Sequence, residues 1–506
     1  MSQFGNILLL LPCFLWSVLC FGQTDKQLHY HTEVDTYFAT SGQTPFWLRA
    51  NQYGIVAKDQ AFMTVRQGLR VDYHESPKTK LDSLRAANRR IDWGWGAEAV
   101  FNAGYNYKLL IPEAYVKVRF GKNFEVWAGR RRELIGLVDS TLTSGSYAWS
   151  GNTLPMAKIQ IAINDYLPRN SLFGFKGFYA HGWFEEDRFV NNTMLHQKAL
   201  YGRFGKPHWR LKLFAGINHE VMWGGNTERL PGSVIKNNQL PNQFSDYINV
   251  VTAVTLGNRT DIDTNRVSEF DRKNRIGNHL GTVDLAFEYT ARSFSIFAYR
   301  QNIYEDGSLF YLTNIQDGLN GLRIRNRRPR NPNGLQIQDI LFEYLYTESQ
   351  GGNLFLENDA HRGRDNYFNH SQYQDGWSRY GLTMGTPFIS PSTDSRSNLP
   401  RYSFTNNNRV SVMHLGLSGQ MLDFFQFQVK ASYSTNLGTY EVPFDKPVHQ
   451  FSSVLSIAAP LAILNGVTAN ASVATDIGDL YDNSVGFFIG IRKEGRSKKR
   501  QSGDFD

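Results

Sequence analysis

Between Pro112 and Glu133 the chain alternates apolar and polar residues with a period of two. Ala114, Val116, Val118 and Phe120 fall on one face, and Glu113, Tyr115, Lys117 and Arg119 on the other. After Gly121-Lys122-Asn123, the return arm continues the apolar face with Phe124, Val126 and Ala128 and the polar face with Glu125, Trp127 and Arg130. This spacing predicts a β-hairpin with one apolar and one charged side. A solvated antiparallel sheet would alternate in the same way, so the discriminating feature is recurrence along the whole chain.

The pattern does recur. Ala157, Ile159, Ile161 and Ile163 alternate with Lys158, Gln160 and Asn164; Val283, Leu285, Phe287 and Tyr289 oppose Thr282, Asp284 and Glu288; Phe425, Phe427, Val429, Ala431 and Tyr433 oppose Gln426, Gln428, Lys430, Ser432 and Ser434. The stretch Ser453 to Ala474 is broken by Pro460 and Asn465-Gly466 and reads as two strands around a turn. Segments of about ten residues with this repeat, separated by turn residues, are the signature of a transmembrane β-barrel with a polar lumen. Nineteen candidate strands can be counted, one of them beginning at Phe46. Bacterial single-chain barrels carry even numbers, so the expectation is an all-β protein, a transmembrane antiparallel β-barrel of about 18 strands with long extracellular loops or a plug. A row of soluble β-sandwiches would need a linker every ~100 to 200 residues, and the chain has no such Pro-, Gly- or Ser-rich segment.

Connections fall into two classes. Gly121 to Asn123 and Ala459 to Gly466 are short, as periplasmic turns are, whereas Asp72 to Arg90, Leu134 to Pro155, Val221 to Ile276 and Glu348 to Asn408 have the length of surface loops or lumen plugs. Within the third, Ser245 to Leu256 has the pattern of a short helix. The last two are rich in Asn, Asp, Arg and aromatic residues, a composition suited to an ordered plug that binds something polar rather than to a flexible linker.

Residues 1–22 carry no charge and contain an apolar run from Ile7 to Val18, which is too short to span a bilayer and predicts a secretory signal peptide. The expected organisation is therefore a signal peptide over 1–22, a barrel over 23–492 and a charged, disordered tail over 493–506. Both cysteines, Cys13 and Cys20, fall inside the signal, so the mature chain has neither disulfides nor thiolate ligands. A mean hydropathy of −0.41 and the lack of a second long apolar run exclude a transmembrane helix. Aromatic residues make up 14% of the chain, a bias that suits membrane-interface girdles or a sugar-binding surface. The net charge of +8 is spread along the chain, which argues against nucleic acid and for a polyanionic glycan or lipid surface.

Two kinds of side chain are candidates for glycan binding. Trp223 and Trp377 lie in long connections, and Tyr147 and Trp149 in STLTSGSYAWSGN; a flat ring beside Asn, Asp and Arg can stack on a sugar face, or it can pack a plug against the barrel wall. Arg362 and Arg364 in HRGRD, together with Arg323, Arg325, Arg327, Arg328 and Arg330 in RIRNRRPRN, can hold acidic sugars through bidentate contacts or pair with lumen carboxylates. Arg130, Arg131 and Arg132 are expected to brace the lumen. His29 and His31 form the one close histidine pair and have no third ligand at suitable spacing, so neither a metal nor a cofactor is expected. The chain has no G-x-S-x-G, H-E-x-x-H or P-loop, and no enzymatic activity is expected.

Three stretches, TPFWLRANQYG (Thr44 to Gly54), AYVKVRFGKNFEVWAGRR (Ala114 to Arg131) and GNHLGTVDLAFEY (Gly277 to Tyr289), resemble the capsule assembly Wzi family in its Bacteroidetes-type form. The resemblance implies an outer-membrane barrel of roughly 18 strands with an occluded lumen. It also implies a lectin-like, non-catalytic role in attaching capsular polysaccharide to the surface of a Gram-negative cell. The partners expected are capsular or exopolysaccharide, outer-membrane lipid and lipopolysaccharide, with the chain acting as a monomer. Two other classes compete with this reading: a porin-like channel for oligosaccharides or anions, and a surface hydrolase. Whether the two longest connections fold into the lumen or splay outward distinguishes binder from channel.

Overall fold

A computed structural model describes residues 26–74, 90–257, 262–305, 308–355, 363–422 and 424–497. The expected signal peptide, Arg362 and residues 498–506 of the expected tail lie outside the described residues.

Eighteen strands form one closed antiparallel barrel in which each strand pairs with its neighbours in sequence. The first, β1 (Leu28–Ala39), pairs with both β2 (Ala61–Val71) and the last, β20 (Ser484–Arg496), so that Val34 stands opposite Val65 on one side and Ile491 on the other. Closure leaves no free sheet edge, which a chain in hydrocarbon requires. Lys493 to Arg496, expected in the tail, complete β20. The segment starting at Phe46 is the surplus strand of the sequence count. Its Pro45-Phe46-Trp47-Leu48 run mimics an extended segment, but Phe46–Arg49 is a single helical turn folded inside the barrel, with its three apolar side chains buried. The expected hairpin is present as β4 (Tyr107–Phe120) and β5 (Phe124–Arg130), with Gly121 at a φ of +61° in the turn, and the expected pair around Asn465-Gly466 is β18 (Pro443–Pro460) and β19 (Val467–Gly478).

Burial is the reverse of a water-soluble sheet. In β4, Val116 is 61% exposed while its neighbour Lys117 is 7% exposed. The same inversion holds around the barrel: Val34, Ile161, Leu213, Leu285, Phe342 and Ile489 face outward, whereas Asp35, Gln160, Asp284, Glu343 and Ser432 are buried toward the lumen. An uncovered apolar belt around a closed barrel with a polar interior is the outer surface of a Gram-negative outer-membrane barrel.

The start of β1 and the end of β20 lie at one end of the barrel, the terminal end, together with the short turns 121–123 and 461–466. Short turns face the periplasm, so the long connections 131–156, 224–277 and 347–409 open at the extracellular end. The connection from Asp72 to Arg90, expected with those surface loops, leaves instead from the terminal end, because β2 runs back toward the termini.

The lipid-facing side chains carry a direct prediction. Leu285→Arg, at mid-strand in β10 (Asn278–Thr290) on the outer face, is expected to destabilise the barrel by about 2–4 kcal/mol, while Gln426→Arg on the lumen face costs little. The check is the denaturant midpoint of each variant, refolded in detergent or lipid.

Candidate functional site

The plug that closes the extracellular end is built from three connections: 40–60, 131–156 and 363–409. Its irregular backbone is bonded partly within the plug, as where the Ser150 amide donates to the Met384 carbonyl and the Thr386 amide to the Tyr147 carbonyl, and the barrel wall supplies further acceptors. Asp284 Oδ2 accepts from the Leu137 amide at 2.7 Å, Gln301 Oε1 from Tyr147 at 3.0 Å, Glu343 Oε2 from Ser144 at 2.5 Å, Glu305 Oε1 from Phe368 at 3.1 Å and Asp476 Oδ2 from Phe46 at 2.8 Å. All five acceptors sit at lumen-facing strand positions, so the polar face of the period-two pattern is the receptor for the plug. Gly416 allows close approach: a Cβ there would lie 2.8 Å from the Cβ of Leu142.

The plug segments are tied to one another as well. Asp394 bridges Arg49 at 2.7 Å and Lys58 at 2.5 Å, joining 363–409 to 40–60. Burial works to raise the Asp394 carboxyl, but Arg49 and Lys58 outweigh it and hold the group below the ordinary aspartate range. Asp317 accepts from the Ser349 and Gln350 amides and the Tyr367 hydroxyl, and Asp271 from Ser268 and Gln372. For these two, burial dominates and lifts each carboxyl to about 6.

Three of the four aromatic candidates are inside this assembly. Tyr147 and Trp377 are fully enclosed, and Tyr147 packs on Tyr367 and Phe368. Trp149 is buried with the Lys158 ammonium 5.0 Å from its ring centroid. Trp223 lies on the outer wall rather than in the lumen, against Tyr247 at 5.0 Å. Tyr247 belongs to the helix Phe244–Thr252, which matches the expected helix and folds over the outside of the barrel through Tyr179 and His196. The connection 224–277 therefore divides: its first part packs on the plug through Tyr373 and Gln372, and its helix leaves the lumen. No ring face is open to a ligand at Tyr147, Trp223 or Trp377.

Of the arginine candidates, Arg323 pairs with Asp139 at 3.1 Å and Arg325 with Asp339 at 2.6 Å, at the terminal end of the lumen. Arg131 and Arg132 brace the lumen through Glu125 at 2.8 Å and Glu98 at 2.6 Å. Among the described candidates, Arg364 reaches the extracellular surface as a partly exposed group, 3.2 Å from Glu441 and donating to the Tyr440 carbonyl at 3.3 Å.

Around Arg364 the structure gathers residues that the sequence did not single out. Tyr402, 46% exposed, lies among Asn366, Arg364 and Glu441, and burial followed by the Glu441 charge raises its phenol. Tyr440 is covered by the Arg409 guanidinium at 3.9 Å and donates to the Ser349 carbonyl at 3.0 Å. A second exposed ring, Tyr380, caps the small hairpin made by β14 (Ser378–Arg379) and β15 (Leu382–Thr383). Tyr380 and Gly381 have φ values of 50° and 71°, as a type I′ turn requires. A bulky residue pays strain there. Glu185 holds it in place, accepting from the Tyr380 amide at 3.2 Å and pairing with Arg379 at 3.0 Å. Two aromatic platforms flanked by guanidinium, amide and carboxylate groups can stack on pyranose faces and hydrogen-bond hydroxyls or acidic substituents. The available sequence signal was the Arg-Tyr dipeptide, present at 379–380 and 401–402 inside the longest connection. Among the described residues, no group of three or more His, Cys, Asp or Glu side chains is gathered closely enough to hold a metal ion.

Two predictions concern the plug. Arg49→Ala leaves Asp394 with Lys58 alone and is expected to cost toward the lower end of about 3–5 kcal/mol, read as faster protease cleavage within 363–409 while the barrel stays folded. The second concerns pH. Because the folded carboxyls of Asp317 and Asp271 are raised to about 6, their stabilising contribution is present at pH 4 and is lost as pH rises through about 6. Asp394, being depressed, loses its contribution only below the ordinary aspartate range, outside that window. Thermal midpoints of wild type should therefore fall between pH 4.5 and 7 more steeply than those of Asp317→Asn, and parallel curves would contradict the assignment.

No family model and no curated protein matches the chain. Among solved structures, it is similar to Wzi of Escherichia coli, an outer membrane protein involved in Group 1 capsule assembly and a carbohydrate-binding β-barrel, with 14% identity and a TM-score of 0.54 over 91% of this chain and 83% of that one. OccAB2 of Acinetobacter baumannii gives 8% identity and a TM-score of 0.47 over 94% and 98%, and OccK5 of Pseudomonas aeruginosa 8% and 0.46 over 94% and 99%. At these identities the likeness to Wzi is one of fold: this chain is an 18-stranded outer-membrane β-barrel sharing the Wzi architecture.

Proposed function

We propose that the chain is a non-catalytic outer-membrane protein that binds capsular or other surface polysaccharide and retains it at the cell surface. The observation that carries this reading is the occluded extracellular end, where three segments are hydrogen-bonded into the wall and two tyrosine platforms are left facing outward. A channel would need an aqueous path through that layer, whereas a binder needs a rigid, ligand-facing surface. Tyr402, Tyr380 and Arg364 make the contacts in this proposal, with Arg362 beside Arg364 in sequence. Tyr147, Trp149 and Trp377 have the part of packing the layer that sets those groups in place, and Trp223 that of fixing the connection outside the wall. Many weak contacts along a repeating polymer sum to stable attachment, so no single site needs high affinity. The similarity to a carbohydrate-binding barrel supports the reading.

The test uses purified full-length protein in detergent and the host's own capsular polysaccharide in a pull-down, with an unrelated barrel as control. Wild type should retain the polymer, and Tyr402→Ala with Arg364→Ala should lower retention at least several-fold without changing barrel stability. In cells, deletion of the gene should shed capsule into the medium. Absence of binding together with single-channel conductance would replace this reading with the porin-like channel.

A further inference from the structure

The terminal end of the lumen holds a second feature, below the plug, whose Asp139 reaches Arg323 on its wall. A cavity of about 670 Å³ opens there between the turns 205–210 and 291–293 and the strand β12 (Gly318–Asn326). Six basic side chains line it: Arg210, Lys212, Arg292, Arg323, Arg325 and Arg327. Three of them have carboxylate partners, Lys212 with Glu288 at 3.0 Å, Arg323 with Asp139 at 3.1 Å and Arg325 with Asp339 at 2.6 Å. The other three do not. Arg327 donates to the Ala291 carbonyl at 2.9 Å, and Arg210 and Arg292 form no ion pair among the described residues.

Three guanidinium groups without counter-charges around one concavity repel one another, an arrangement that an anion relieves. Low-dielectric walls focus that field into the mouth, and each guanidinium offers a planar fork that matches a carboxylate or phosphate. The half-exposed indole of Trp209 lines the same cavity and adds a flat apolar face beside the charges. A ring to stack on, next to forks that grip acid groups, is the recognition chemistry of an acidic sugar rather than of a bare ion. The plug closes the opposite end, so the cavity is reached from the side of the short turns, the periplasm.

We infer that this vestibule is a binding site for an acidic saccharide presented from the periplasm, with the sugar ring on Trp209 and its carboxylate or phosphate on Arg210, Arg292 and Arg327. The site is separate from the extracellular tyrosines and does not depend on what they bind. It gives the barrel a glycan contact on each side of the membrane.

The test is calorimetric titration of the full-length protein in detergent with trigalacturonate, maltotriose and inorganic phosphate. Trigalacturonate should bind, weaken as salt rises, and lose roughly tenfold in affinity for each charged contact removed, so that Arg210→Gln with Arg292→Gln nearly abolishes it. Trp209→Ala should weaken trigalacturonate and leave phosphate unchanged. Tyr402→Ala with Arg364→Ala should leave this binding intact even where it lowers polymer retention, which separates the two sites. Unchanged denaturant midpoints confirm that each variant folds. The inference is overturned if trigalacturonate does not bind, if the double arginine variant binds like wild type, or if maltotriose or phosphate binds as tightly as trigalacturonate.

Discussion

The structure depends on one requirement: the backbone amides of an irregular plug must find acceptors inside a barrel. An unpaired buried amide costs about as much as a lost hydrogen bond, and the plug segments lack a regular ladder of their own. Asp284, Gln301, Glu305, Glu343 and Asp476 supply the acceptors from four different strands. These side chains are polar for the same reason that their strand neighbours are apolar: one face of each strand meets lipid and the other meets the plug. Removing the plug would take these backbone donors from the wall acceptors, so plug and wall stabilise each other.

That mutual dependence explains why the extracellular surface can be rigid without regular secondary structure. Arg188 donates to the Ser378 and Gly376 carbonyls at 2.6 and 3.1 Å, and Arg379 donates to the Leu154 carbonyl at 2.7 Å. Each is a buried cation that pairs with Glu185 and also donates to main-chain oxygens, which fixes the position of a loop rather than binding a ligand. The strained Tyr380 turn stands on this support, and its ring is presented to solvent because the residues beneath it are immobilised. Strain held in place by hydrogen bonds at an exposed aromatic is a feature associated with ligand contact.

The two ends of the barrel differ in chemistry. At the extracellular end, tyrosines, amides and mixed charges suit hydroxyl-rich ligands. At the terminal end, arginines exceed their carboxylate partners and the cavity is open. The plug separates the ends, so the chain has two chemically different faces on opposite sides of one membrane.

The sequence by itself determined the barrel. A period-two pattern carried over many segments, with turns between, has one low-energy solution in lipid: a closed barrel, apolar outward and polar inward. It also located nearly every strand, failing at Phe46, where a run of alternating character belongs to a helical turn because Asp476 and Asp394 hold it inside the lumen. What it left open was the fate of side chains outside the strands. Trp223, Trp377, Tyr380 and Tyr402 all sit in or beside long connections of similar composition, yet two are buried and two exposed. Local sequence cannot separate them, because their burial is set by residues distant in the chain: Tyr247 against Trp223, Glu185 under Tyr380, the 131–156 segment beneath the 363–409 plug. Likewise RIRNRRPRN reads as one basic run, but tertiary pairing alone chose Asp139 for Arg323 and Asp339 for Arg325, and left Arg327 at the mouth of an open cavity. Strand alternation is a local consequence of the lipid environment, whereas the surface chemistry follows from contacts that exist only after the barrel has closed around its plug.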